Sequence, residues 1–303
     1  MWINRGLIII PQERLWWMQT HAMLPTPELL YNNFFRIYFS GRDKNNRSYI
    51  GFAVIELIED KVVVLEYSSE PVLKPGDLGC FDDSGVTPSC IVKDDGKTYL
   101  YYIGWRPRSS VRMELMPGLA VKISENIFER VTKVPIMRRN DREPISILTA
   151  PFVLKEKGKF RMWYVSGIRW INPDLPQYDI KYAESKNGID WFQTGIIAIP
   201  LKKNENALAR PFVCKEREKY KMLFSFKEKG KEYQIDYALS QDGISWNRIS
   251  DGAYSPSRAD WDSEMQAYPI IIENEKYEFI LYNGNEYGKK GIGYAVRKKK
   301  VNG

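Results

Sequence analysis

The feature that most constrains this chain is a proline followed thirteen residues later by an aromatic, five times over. The pairs are Pro25 with Tyr38, Pro88 with Tyr101, Pro151 with Tyr164, Pro211 with Phe224 and Pro269 with Tyr282. The prolines stand 63, 63, 60 and 58 residues apart. Self-similarity of this kind marks an array of supersecondary units that bury their apolar faces on one another. Within a unit, a short apolar stretch such as Phe152-Val153-Leu154 leads to a polar turn such as Glu156-Lys157-Gly158-Lys159. An alternating aromatic run follows, as in Phe160-Arg161-Met162-Trp163-Tyr164. Period-two alternation bounded by turn residues reads as a β-hairpin.

A third strand carries a small residue in every unit: Ala53, Ala120, Ala183, Ala238 and Ala295. In two units it runs into near-identical text, 182–191 and 237–246, where Asn187-Gly188 and Asp242-Gly243 are tight-turn dipeptides and Trp191 and Trp246 open a fourth strand. Four antiparallel strands per unit in five units predict an all-β, five-bladed β-propeller. The fifth unit ends at its third strand, and residues 6–10 precede the first unit without a partner. That N-terminal strand is expected to complete the last blade and leave no open ring edge. No Pro/Ser/Gly-rich linker interrupts the series, so one domain over residues 1–303 is expected.

The chain has 303 residues, 44% hydrophobic and 27% charged, which excludes a disordered chain. The apolar run Leu7-Ile8-Ile9-Ile10 is stopped by Pro11. It is too short for a membrane span and has no cleavage site, so neither anchor nor signal peptide is expected. Three cysteines, Cys80, Cys90 and Cys214, without a CxxC, point to a reducing, cytoplasmic setting. His21 is the only histidine, which argues against a zinc site or a Ser-His-Asp triad. The net charge of +7 lies partly in the tail 297–300 and reads as solubility. Without a long basic stripe, no nucleic-acid partner is expected.

In a propeller blade the first strand starts on the face to which the second returns. Residues before the prolines and at second-strand ends therefore share that face. Five positions before the prolines stand Thr20, Asp83, Ser146, Asn206 and Glu264. The second-strand ends bring Arg42, Trp105, Arg106, Arg169, Asn283 and Asn285, and His21, Asp82, Arg210 and Gln266 lie in the same segments. Arginine forks suit carboxylate or phosphate oxygens, and indoles stack on sugar faces. The expectation is a polar ligand site with an anionic element, with Asp83 and Glu264 catalytic and with Arg42, Trp105, Arg106, Arg169, Asn283, Asn285, His21, Asp82, Arg210 and Gln266 binding substrate. Asp82 and Asp83 also fit a turn cap beside Ser84 and Gly85. No metal and no cofactor are expected.

The five Pro-anchored units, with segments 81–88 (FDDSGVTP) and 261–269 (WDSEMQAYP), resemble the five-bladed glycoside hydrolases of families 43, 32 and 130 and glycosidase-like propellers. The resemblance spans the chain at the level of repeats. Families 43 and 32 carry an aspartate in one blade and a glutamate three blades on. Asp83 and Glu264 match that separation if the chain is permuted by one blade. The families place the aspartate directly before the proline, where this chain has Thr87. Their glutamate lies two before it, where this chain has Ala267, and their third acid falls at Ala209-Arg210-Pro211.

With the arginines, the resemblance implies an enzyme that cleaves or transfers a glycosidic bond of an anionic, phosphorylated or nucleotide-linked sugar. Glu264 would be the general acid, kept protonated by a shielded position near the axis, and Asp83 the base or nucleophile. The separation of the two carboxyls would set retention or inversion. Arg42, Arg106, Arg169 and Arg210 would hold the anionic part. The alternatives are a glycoside phosphorylase, a non-catalytic carbohydrate-binding propeller and a protein-interaction scaffold.

Overall fold

Proline cannot donate to a strand ladder, and a bulge is one way for a strand to accommodate it. A computed structural model describes residues 1–216 and 218–299 and shows this in all five units. After β1 (Ile3–Ile9) come four strands, β2 (Thr20–Tyr31), β3 (Phe34–Arg42), β4 (Ser48–Ile58) and β5 (Lys61–Tyr67). The second set is β6 (Gly85–Asp94), β7 (Lys97–Pro107), β8 (Met113–Ser124) and β9 (Ile127–Arg130). The third is β10 (Leu148–Glu156), β11 (Lys159–Asn172), β12 (Leu175–Ser185) and β13 (Phe192–Ile199). The fourth is β14 (Glu205–Glu216), β15 (Lys219–Glu228), β16 (Gln234–Ser240) and β17 (Asn247–Arg248). The last is β18 (Ala267–Glu273), β19 (Tyr277–Asn283) and β20 (Ile292–Lys298).

Neighbours within each set pair antiparallel, and β1 pairs antiparallel with β20, placing Ile3 opposite Val296. The N-terminal strand is thus the fourth strand of the last set, as its lack of a local partner required. The repeated alanines lie opposite large residues of the second strands: Ala53 faces Ile37, Ala120 faces Leu100, Ala183 faces Met162, Ala238 faces Met222 and Ala295 faces Ile280. All five alanines are fully buried. A larger side chain at any of them would overpack the layer between sets.

Single parallel bridges, Ser48 to Gly85 and Tyr178 to Ala207, join sets one to two and three to four. No sheet closes on itself through hydrogen bonds among the described residues. The first strands nevertheless touch in sequence, β2 with β6, β6 with β10, β10 with β14, β14 with β18 and β18 with β2. The arrangement is propeller-like. The near-repeated text 182–191 and 237–246 forms matching turns in which Ser185 and Ser240 accept from Gly188 and Gly243. Each turn then locks onto the preceding set: Tyr101 donates to the Gly188 carbonyl and Trp163 to that of Gly243, both at 2.8 Å.

A candidate functional site on the face where the first strands begin

At four of the five bulges, the residue before the proline is forced off the regular strand. Leu24, Ala150, Arg210 and Tyr268 all adopt left-handed backbone, with φ of 56°, 49°, 53° and 59°. Non-glycine residues rarely hold this conformation, and such strain clusters at functional sites. Three rim residues share it: His21, Glu286 and Tyr287. The pre-proline positions, with Thr87 as the fifth, carry one charged group, Arg210. It is fully buried and reaches across from β14 to the first two sets. Its guanidinium donates to the carbonyls of Pro88 at 2.9 Å and Pro25 at 2.8 Å, and to the Thr26 hydroxyl at 2.7 Å. Its Nε has no partner, and burial pulls its pKa down to about 10.

Beside Arg210 lies a cluster of tyrosines and cations. Tyr178 and Tyr233 touch through their hydroxyls, and the Tyr233 ring packs 6.0 Å from Tyr268 and 6.2 Å from Tyr287. Burial raises the pKa of Tyr178 to about 12 and lifts Tyr233 and Tyr268 well above the ordinary phenol value. These hydroxyls stay protonated and serve as hydrogen-bond donors and acceptors. Lys227 donates to the Tyr287 hydroxyl at 3.3 Å. Arg42 is half-buried, with an Nε that has no partner, and its pKa falls through burial, Tyr268 opposing and the Arg112 charge adding. Arg112 also acts on Tyr178. His21 is pushed down to about 4, by burial first and then by Arg42 and Lys289, with Glu286 opposing. It is therefore neutral at pH 7. Mutually repelling cations facing protonated hydroxyls suit an anion.

The buried carboxylates face elsewhere. Asp82 accepts from the Tyr102 hydroxyl at 2.9 Å and is paired with Arg130 at 2.8 Å. Glu143 accepts from Tyr164 at 2.8 Å and Ser166 at 2.7 Å, and Asp262 from Tyr282 at 2.7 Å. All three bind a tyrosine on the second strand of their own set and so anchor the loop that enters the first strand. Asp82, expected to contact substrate, is engaged here as a loop anchor. Asp83 caps its own turn, accepting from the Gly79 amide at 3.0 Å and the Ser84 hydroxyl at 2.9 Å. Glu264 is exposed, which corrects the expectation of a shielded acid. Asn285 accepts from the amides of Glu264 and Met265, both at 3.0 Å, and this turn sends Met265 and Gln266 inward and Glu264 outward. Among the described residues no group of three or more His, Cys, Asp or Glu gathers as a metal site.

Of the residues expected to bind substrate, His21, Arg42 and Arg210 lie in or beside the tyrosine cluster. The others have structural partners. Arg106 pairs with Glu114 at 2.6 Å, and exposed Arg169 donates to Gln177 at 2.6 Å. Trp105 donates to Ser48 at 3.0 Å and covers Gly85, joining the first two sets. Gln266 donates to Asp262 at 2.8 Å. Asn283 ties β19 to β2, accepting from Leu24 at 2.9 Å and donating to the Ala22 carbonyl at 2.8 Å. Asn285 is the turn cap just described. Sequence reasoning missed Arg112, Tyr178, Tyr233, Tyr268 and Tyr287. Tyr268 alone had a signal, since it precedes a repeat proline.

No protein-family model matches the chain. It is 36% identical over 298 residues to "Uncharacterized protein Rv1502" of Mycobacterium tuberculosis (strain ATCC 25618 / H37Rv), covering 97% of this chain and 98% of that protein. The chain belongs to the Rv1502 family. Solved structures extend the likeness of this Rv1502-family fold. A glycosyl hydrolase from Bacteroides ovatus matches with a TM-score of 0.75 at 14% identity, over 99% of this chain and 95% of that one. A thermostable family-43 glycoside hydrolase matches at 0.65 and 17%, over 98% and 92%. The Bombyx mori GH32 beta-fructofuranosidase BmSUC1 matches at 0.63 and 12%, over 97% and 64%. The Rv1502-family chain shares the glycoside hydrolase-like propeller fold of these structures. At the pre-proline positions it presents Leu24, Thr87, Ala150, Arg210 and Tyr268, without an acid among them.

Proposed function

We propose that this protein is a carbohydrate-active, five-bladed propeller enzyme, one domain closed by β1, that takes an anionic, phosphorylated or nucleotide-linked sugar at this cluster of tyrosines and cations. The cyclic contact of the five first strands and the pairing of β1 with β20 support the ring. The observation that carries the ligand class is Arg210, a buried cation at the pre-proline positions whose partners are carbonyls and a hydroxyl and not a carboxylate. Its uncompensated charge, with Arg42 and Arg112 acting on the same cluster of tyrosines, favours an anionic ligand, and the tyrosines offer ring faces and hydroxyls to a sugar. The three free thiols suit a reducing compartment.

For chemistry, Glu264 is the carboxylate left available: its backbone is fixed by Asn285 and its side chain faces solvent at the loop that enters β18. It acts as general acid or base from the rim, with Asp83 as the second carboxyl or with phosphate as the attacking group. Glu264→Gln tests this on a panel of 4-nitrophenyl glycosides of uronic acids and of nucleotide-linked sugars. Turnover falls at least a hundredfold while KM moves by less than about threefold. Undiminished turnover in the variant removes Glu264 from the mechanism. A second reading, a non-catalytic sugar-binding propeller, is favoured by one observation: Asp82, Glu143 and Asp262 are all committed to tyrosines. Saturable binding without turnover by the wild-type protein selects it.

A further inference from the structure

A cavity of about 500 Å³ opens where β7 ends and β8 begins, under the segment that leads from β9 to β10. Its wall is held from β8: the Val131 amide donates to the Leu119 carbonyl at 2.9 Å, and that of Ile136 to the Pro117 carbonyl at 3.0 Å. Those two bonds fix the intervening residues. Phe81, Met116 and Met137 are buried and supply an apolar floor. Methionine side chains adapt to varied apolar shapes. Arg138 and Arg139 stand exposed at the mouth. Among the described residues neither has a hydrogen bond or ion pair through its side chain. Glu114, the one acid in the lining, is already engaged by Arg106 at 2.6 Å and Arg108 at 3.5 Å. Arg106, Arg138 and Arg139 against Glu114 leave two positive charges on the lining.

We propose that this cavity binds a phosphate ester of an apolar alcohol, its phosphate on Arg138 and Arg139 and its apolar body on Phe81, Met116 and Met137. A phosphate monoester carries close to two negative charges at pH 7 and matches the excess on the lining. Adjacent guanidinium forks suit its oxygens. A cavity of this size exceeds what inorganic phosphate fills and falls in the range of small-molecule sites. A carboxylate or a neutral sugar would use half of the charge or none of it. The proposal is independent of the tyrosine cluster and of the chemistry assigned to Glu264.

The test is isothermal titration calorimetry of the full chain with geranyl phosphate, geraniol and inorganic phosphate. Geranyl phosphate binds saturably at one site, and more tightly as pH rises through about 6, where its second proton leaves. Geraniol and inorganic phosphate each bind at least tenfold more weakly. The double variant Arg138→Ala/Arg139→Ala loses at least tenfold in affinity with an unchanged melting temperature, because both side chains are exposed and unpartnered. Val134→Glu, at an exposed wall position, also weakens binding. Arg42→Ala, beside the tyrosine cluster and outside this cavity, leaves it unchanged. The assignment is overturned by absent binding, by equal affinity in the double variant, by inorganic phosphate binding as tightly as the ester, or by loss in Arg42→Ala instead.

Discussion

Arg210 and Arg248 belong to the same set of strands, and both are almost wholly removed from water, yet their surroundings are opposite. Arg248 holds two carboxylates: Nε lies 2.5 Å from Asp236, and Nη1 donates to Glu205 at 2.9 Å. Its guanidinium also lies 5.1 Å over Phe224 and 4.9 Å over Phe226. Burial opposes its charge, but Glu205 and Asp236 outweigh burial and its pKa is raised. Arg210 has carbonyls, one hydroxyl and an idle Nε, and burial prevails. The first arginine is internal glue whose field is cancelled within a few ångströms. The second leaves a positive potential beside the tyrosine cluster. A buried charge that its own fold does not neutralise is expensive and points to a ligand of opposite sign.

Breaking each arginine separates these roles. Arg248→Met leaves Glu205 and Asp236 buried and uncompensated, and should lower unfolding free energy by about 3–5 kcal/mol in a urea titration. A loss below about 1 kcal/mol would mean that the triad is not what holds the fourth set. Arg210→Met exposes no such pair. It strands the Pro25 and Pro88 carbonyls and the Thr26 hydroxyl, yet also removes a desolvated charge, so the loss should be about 1–3 kcal/mol. Its distinguishing effect is on binding: affinity for an acidic glycoside falls at least tenfold while that for its neutral counterpart is kept. Equal losses for both would reduce Arg210 to a purely structural staple.

What the sequence reveals follows from which forces repeat. The strand sets and the place of β1 were legible because period-two patterning, the bulge-forming prolines and the small alanines recur at one spacing in every unit. The site was only partly legible because a ligand site is where the units cease to be alike. Arg210 and Tyr268 stand in repeat register, before Pro211 and Pro269. Arg112, Tyr233 and Tyr287 come from connecting segments of different length and have no counterpart in other units. The acids near the prolines divide for a physical reason. Asp82, Glu143 and Asp262 do recur upstream of the prolines, but their repetition serves the tyrosines that fasten each loop. Glu264 lies next to such an anchor segment and is turned outward by Asn285, a partner 21 residues away in the chain.

Asp179 is the acidic counterpart of Arg210 and sharpens the contrast with the smallest expected effect. It follows Tyr178 in β12, is 3% exposed, and has an Oδ1 without a partner. Burial raises its pKa to about 6, with Lys181 opposing and Glu143 adding. The unfolded chain ionises this group near 3.8, so between pH 4 and 6 the folded state binds the extra proton. Stability from this group therefore falls as pH rises through that window, by roughly 3 kcal/mol at most. His21 works the other way. Its folded pKa of about 4 lies below the ordinary 6.5, so its contribution rises with pH over the same range and flattens the wild-type profile. Asp179→Asn removes one of the two opposing slopes. The variant should equal wild type at pH 4 and exceed it by about 1–2 kcal/mol at pH 7, since asparagine stays buried but carries no charge. Urea unfolding at both pH values reads the difference, and parallel profiles would show that Asp179 does not titrate there.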